Sequence, residues 1–224
     1  MSRAKYHSVR RQEQAEGTRQ NILDAARALF VERGYARTTV ADIAAAARVA
    51  VPTVYASVGP KPAILGELRM LIPAQASVPL DTRSELAQLN RPLDVISGFV
   101  KGMRRLIEIS GDLMYAIEAA APFEPVAAEA WEEGLVIHRA AWAIAVQRIQ
   151  ELGALNRSLH PSKAADMLSF LSLPSSWRTL ERDHGWTADE VERWMIDTAM
   201  SLVVEPRARS RKPARPRTSL ESTT

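Results

Sequence analysis

The chain has 224 residues, with 29 Lys and Arg against 26 Asp and Glu, a net charge of +3 and no cysteine. A chain of this length can bury one sizeable core or two small ones, and without cysteine it forms no disulfide and no thiolate metal site. The longest apolar run, AAWAIAV at 140–146, falls well short of the roughly 18 residues of a membrane span, and the first twenty residues hold no apolar signal core, so a cytoplasmic protein with no membrane partner is expected.

Residues 1–17 read as a disordered basic arm carrying Arg3, Lys5, Arg10 and Arg11, either solvated or reaching a DNA minor groove. From Thr18 to Arg33, Ile22, Ala25, Ala26, Leu29 and Phe30 fall at helical offsets and predict one apolar face, which Gly34 brings to a stop. Residues 39–61, TVADIAAAARVAVPTVYASVGPK, then read as a short helix, a tight turn and a second short helix, the size and chemistry of a helix-turn-helix. A further helix over about 61–72 leads to a Pro- and Ser-containing connection at 73–81. From Pro92 the pattern is helical throughout, over about 92–109, 112–121, 125–152, 162–173, 174–184 and 188–204, with breaks at Pro122, Pro125, Pro161, Pro174 and Gly185. In the longest of these, Trp131, Leu135, His138, Trp142, Ala145, Ile149 and Leu152 form one stripe along about 40 Å of helix. The tail from Pro206, RARSRKPARPRTSLESTT, has almost no apolar content and reads as disordered and basic.

The expected architecture is therefore all-α. A three-helix DNA-binding head over 18–66 precedes a helical-bundle body over 67–205, to which the resemblance given next assigns ligand binding and dimerisation, and the arm 1–17 and tail 206–224 flank them. Charge follows the same division. Residues 1–66 hold ten basic and five acidic side chains, residues 67–205 hold 13 and 20, and residues 206–224 hold six and one. A basic head on an acidic body is the distribution that brings only the head to phosphate.

The stretch TRQNILDAARALFVERGYARTTVADIAAAARVAVPTVYASVGPKPAILGEL resembles the DNA-binding domain of the tetracycline-repressor (TetR) family. The ILDAARALF helix, the Gly-Tyr step, the T-V-x-x-I-A opening, the P-T-V-Y helix and the Lys that follows occur in order. Residues 162–204 also resemble the last helices of a ligand-binding domain common among actinobacterial members. The resemblance implies that Thr39–Ala47 is the supporting helix and Val51–Ser57 the recognition helix. Thr39 would cap its helix and meet a phosphate, and Pro52 would sit without cost in the first turn. Thr53 would bond a phosphate or touch a thymine methyl, Tyr55 and Lys61 would bond phosphates, Ser57 would belong to the same DNA-binding set, and Val51 would offer apolar contact to base edges. Arg48 stands where the family usually has Gly and Ala50 where it often has Ser or Thr; each departure costs about 1 kcal/mol if the family's backbone is kept. Arg48 could recover part of that as an added phosphate contact.

Two further sets follow from the resemblance. A dimer interface is expected from Leu168, Leu171, Val191, Trp194, Met195, Thr198 and Leu202, although the same stripes could instead close the monomer's own core. A mostly apolar pocket for a small effector is expected from Phe99, Met103, Met114, Tyr115, His138, Trp142 and Phe170, with His138 open to a second reading as a hydrogen-bonded core histidine. The partners implied are an inverted-repeat DNA duplex, a second copy of the chain and the effector. No cofactor, metal or catalytic residue is expected. The histidines are scattered, and the sequence has no G-x-S-x-G, G-x-G-x-x-G or Gly-Lys-Ser/Thr loop. An all-helical adaptor whose head no longer binds DNA is the alternative.

Overall fold

Pro92, Pro125, Pro161 and Pro174 each occupy the first position of a helix, where the missing N–H is no loss and the fixed φ favours the first turn. They divide the body of the molecule, whose computed structural model describes residues 3–76 and 86–206. The elements are α1 (Arg3–Arg33), α2 (Val40–Ala46), α3 (Val51–Ser57), α4 (Lys61–Ala76), α5 (Pro92–Ala120), α6 (Pro125–Glu151), α7 (Pro161–Leu171), α8 (Pro174–Arg178) and α9 (Ala188–Val203). A π-helical turn, Thr179–Asp183, continues α8. Among the described residues there is no strand; an isolated bridge between Leu155 and Val204 pins the end of α9 to the loop after α6.

Two boundaries differ from the sequence expectation. The first helix runs back to Arg3 through the stretch expected to be an arm. Residues 3–16 contain no proline or glycine and are rich in Ala, Arg, Gln and Glu, which favour helix. Helix α5 is one rod where two helices were expected, passing through Ser110 and Gly111, both buried. The tail beyond Pro206 lies outside the described residues.

The core forms two clusters. The first joins Ile22, Ala26, Leu29 and Phe30 of α1 to Ile43 and Ala44 of α2, Val54 of α3 and Ile64, Leu65 and Leu68 of α4. It also takes in Leu113, Ala116, Ile117 and Ala120 from the end of α5 and Ala127 and Ala130 from the start of α6. The second is built from the first half of α5, the rest of α6, and α7, α8 and α9. The expected domain border at residue 66 thus falls inside α4, between the buried Leu65 and Leu68.

Candidate nucleic-acid interface

Helix α2 begins with a reciprocal cap. The Thr39 hydroxyl accepts from the Asp42 N–H at 3.1 Å, while the Asp42 carboxylate accepts from the Thr39 N–H at 2.8 Å and from its hydroxyl at 2.5 Å. Those hydrogen bonds from Thr39 hold the Asp42 carboxyl below its ordinary range. Both donors of Thr39 are thus occupied by the Asp42 carboxylate. The cap is present, but Thr39 offers no spare donor to phosphate.

The other end of α2 closes in a Schellman turn. The Arg48 N–H donates to Ala45 O at 3.2 Å and the Val49 N–H to Ala44 O at 2.9 Å. This geometry needs a left-handed residue at position 48, and Arg48 has φ 57°, the single non-glycine residue with positive φ among those described. Its side chain is exposed. Ala50, at the N-cap of α3, makes no side-chain capping bond.

Helix α3 is held by its inner side. Val54 is fully buried, and Arg19 of α1 donates to the carbonyl of Ser57 at 2.6 Å while pairing with Glu67. That contact satisfies an otherwise orphaned carbonyl and places a cation at the negative end of the helix. Arg19 was not singled out from sequence, since nothing local to α1 shows that it reaches residue 57. Gly59 then turns the chain at φ 117°, where a Cβ would also lie 3.2 Å from that of Ala63.

With α3 fixed in this way, Val51, Pro52, Tyr55 and Ala56 are exposed, and Thr53 and Ser57 are half-buried beside them. Tyr55 is 53% exposed, so its hydroxyl is presented to solvent and not packed between helices. Lys61 is placed differently from the expectation. Its ammonium donates to the carbonyls of Tyr35 and Thr38, each at 3.0 Å, and lies 4.1 Å from the centre of the Tyr35 ring. Two of its three protons therefore hold the α1–α2 loop, leaving one for a phosphate.

An interface of this kind, with an anchored short helix presenting Val51, Pro52 and Tyr55 behind a Schellman turn, can be compared with known proteins. The sequence model described as bacterial regulatory proteins, tetR family, matches residues 22–68. Over residues 22–68 the chain is similar to the TetR family. Among solved structures, the TetR-type fold extends over the whole body. A putative TetR-family regulator from Mesorhizobium loti shares 22% identity at a TM-score of 0.62, covering 85% of this chain and 98% of that one. SmeT, the repressor of a multidrug efflux pump of Stenotrophomonas maltophilia, shares 22% at 0.64, covering 84% and 91%. A putative regulator from Saccharomonospora viridis in complex with choline shares 18% at 0.69, covering 85% and 99%. No curated protein matches the chain.

The TetR-type body departs from two expectations. Leu168, Val191 and Met195 are fully buried in the second core cluster and cannot form an interface with another copy. Leu171, Thr198 and Leu202 are half-buried, and Trp194 is exposed and stacked edge-on against Trp186. Helix α9 turns Val191, Met195, Ala199 and Val203 inward against α5 and α7, so its stripe closes the monomer's own core.

Three residues of the expected pocket, Phe99, His138 and Trp142, pack against one another. The Phe99 ring lies 3.8 Å from that of Trp142 and 6.0 Å from that of His138. Trp142 donates from Nε1 to Ser172 Oγ at 2.8 Å, and Ser172 donates to Leu168 O at 2.9 Å. His138 Nε2 lies 3.2 Å from both Ser169 O and Ser172 Oγ. Because the single Ser172 proton goes to Leu168, His138 carries its proton on Nε2, and burial lowers its pKa. His138 is the hydrogen-bonded core histidine of the two readings. Met103 is buried, Met114 is half-buried, and Phe170 is 75% exposed on the outside of α7. A cleft of about 410 Å³ opens instead between α1, α5 and α8, and Tyr115 is the one residue of the expected set that reaches it.

Proposed function

We propose that the chain is a homodimeric, ligand-responsive transcription regulator that binds a short inverted repeat of duplex DNA as a repressor and leaves it when a small effector binds. It would act in the cytoplasm and without catalysis. The observation that carries the reading is the outward face of α3, with Val51, Pro52 and Tyr55 exposed while Val54 and Arg19 fix the helix from behind. The TetR-family match over the same residues supports it, as does a fold shared with SmeT, a repressor, and with a choline-bound regulator. In this reading Thr53, Tyr55, Ser57 and Arg48 meet the DNA backbone, and Val51 touches base edges. Lys61 contributes one remaining donor, and Thr39 acts only through its cap.

One such head spans few base pairs, so useful affinity needs two heads about 34 Å apart, one helical turn of DNA. The surface that supports pairing is not the buried side of α9 but an exposed apolar patch on α6 and α7. Val136 is 68%, Ile137 62% and Phe170 75% exposed there, beside the His138–Ser169 contact.

Selection of the purified chain against random duplexes tests the reading. A single recovered inverted repeat is expected, and Tyr55→Phe should bind it about fivefold more weakly, the equivalent of one hydrogen bond. Recovery of no sequence above background would favour the adaptor alternative.

A further inference from the structure

The cleft between α1, α5 and α8 joins the head to the body, and its chemistry is specific. Arg27, Arg104, Arg178 and Arg182 line it with Glu108, Asp112 and Glu181, while Glu118, Asp189 and Glu192 reach the same arginines from its edge. Two of the arginines are committed. Arg27 holds Asp112 with bonds of 2.6 and 3.1 Å and also donates to Ile109 O, while Arg104 is shared by Glu108, Asp189 and Glu192. The other two are not saturated. Arg178 lies over the Tyr115 ring at 4.9 Å and reaches Glu118 only at 3.7 Å, and Arg182 makes no ion pair among the described residues.

Neutral donors add to these. Trp177, a buried side chain of the lining, has no hydrogen-bond partner for Nε1. Buried indole N–H groups are normally paired, so this donor is open to an acceptor in the cleft; the buried Glu118 Oε2 likewise has no hydrogen-bond partner. The Tyr115 hydroxyl also lines the cleft and keeps its proton, with its pKa pushed up to about 12 by burial first and by Glu181 second. Ile107 and the exposed Ile109 supply apolar wall. The π-helical turn that continues α8 aims Glu181 and Arg182 at the cleft, and such turns concentrate at functional sites.

We propose that this cleft binds a small organic monocarboxylate, its anion on Arg178 and Arg182 and its apolar part against Ile107 and Ile109. Arg182 has no ion-pair partner among the described residues, Arg178 holds Glu118 only loosely, the Trp177 indole N–H is unpaired, and the volume suits a small ligand. Arg27 and Asp112 line the same cleft, so a bound anion adds a second acceptor for Arg27, and occupancy would loosen the ion pair that holds α1 of the head to α5. This consequence rests on the reading of the chain as a ligand-responsive regulator; the binding itself does not.

Isothermal titration of the full chain with benzoate and hexanoate, against benzamide and hexanamide as neutral analogues, tests the inference. One acid per chain is expected, with no heat from the amides. The exposed Arg182→Gln should bind roughly tenfold more weakly, the loss of one charge-assisted contact, and Arg178→Gln should weaken binding further. Absence of heat from both acids at millimolar concentration, equal binding of the amides, or unchanged affinity in both variants would each overturn the site. The selected duplex, titrated in parallel, separates the two claims. Duplex binding without acid binding removes the cleft and leaves the regulator, whereas acid binding without duplex binding removes the regulator and leaves the cleft.

Discussion

Arg48 holds a backbone position that glycine occupies at lower cost. The α2 Schellman turn requires φ of 57° there, and a side chain with a Cβ is strained by about 1 kcal/mol in that region. Arg48→Gly should therefore raise stability by about that amount in denaturant melts. If the exposed guanidinium touches a phosphate, the variant should also lose about one unit of the salt slope of DNA binding; an unchanged slope would exclude the contact. Lys61 calls for the opposite experiment. Since its ammonium bonds two loop carbonyls, Lys61→Met should cost about 2 kcal/mol of stability as well as operator affinity, and a variant that melts like the parent would return Lys61 to a purely DNA-facing role. The sequence made the strain at Arg48 legible because a glycine position was filled by something else. The anchoring of Lys61 was not legible, because its acceptors are main-chain carbonyls more than twenty residues away that any sequence could supply.

Among the elements, the four proline-headed helices, the Gly34 stop and the buried face of α1 follow directly from residue type and spacing. The orientation of α7 and α9 does not. An apolar stripe states that a helix has a partner, but carries no mark of whether that partner is the same chain or another copy. The stripes of Leu168 and of Val191 and Met195 turned out to face their own chain. The apolar set expected to line a pocket is ordinary for the same reason, since packed rings and cavity walls have one composition. His138 at the centre of that set gives a test through acid. Its folded pKa lies below the ordinary value of 6.5 because the charged ring is costly to bury. Protons then bind the unfolded chain more strongly, so the His138 contribution is fully present above pH 6.5 and is lost as pH falls from there toward the folded pKa. Melting temperature should fall as pH drops below about 6.5, and His138→Gln should flatten that fall; an equally steep fall in the variant would assign it to other groups.

For the whole molecule, pairing and coupling are the properties at stake. If the chain pairs through the patch proposed above, Phe170→Glu combined with Ile137→Glu should leave it monomeric in sedimentation without lowering the melting temperature of the chain itself, because both side chains are largely exposed. A persistent dimer would move the interface elsewhere. The head, in turn, is not a detachable unit. Leu113, Ala116, Ile117 and Ala120 of α5 complete its core, and Arg27–Asp112, Tyr35–Glu124 and Arg69–Glu133 cross to the body around them. Anyone building a chimera should therefore not splice at residue 66. A foreign body joined there would replace Leu68 and meet Leu65 with side chains shaped for other neighbours, whereas a graft that keeps α4 whole and also carries the second half of α5 and the first turns of α6 would bring the missing half of the joint with it.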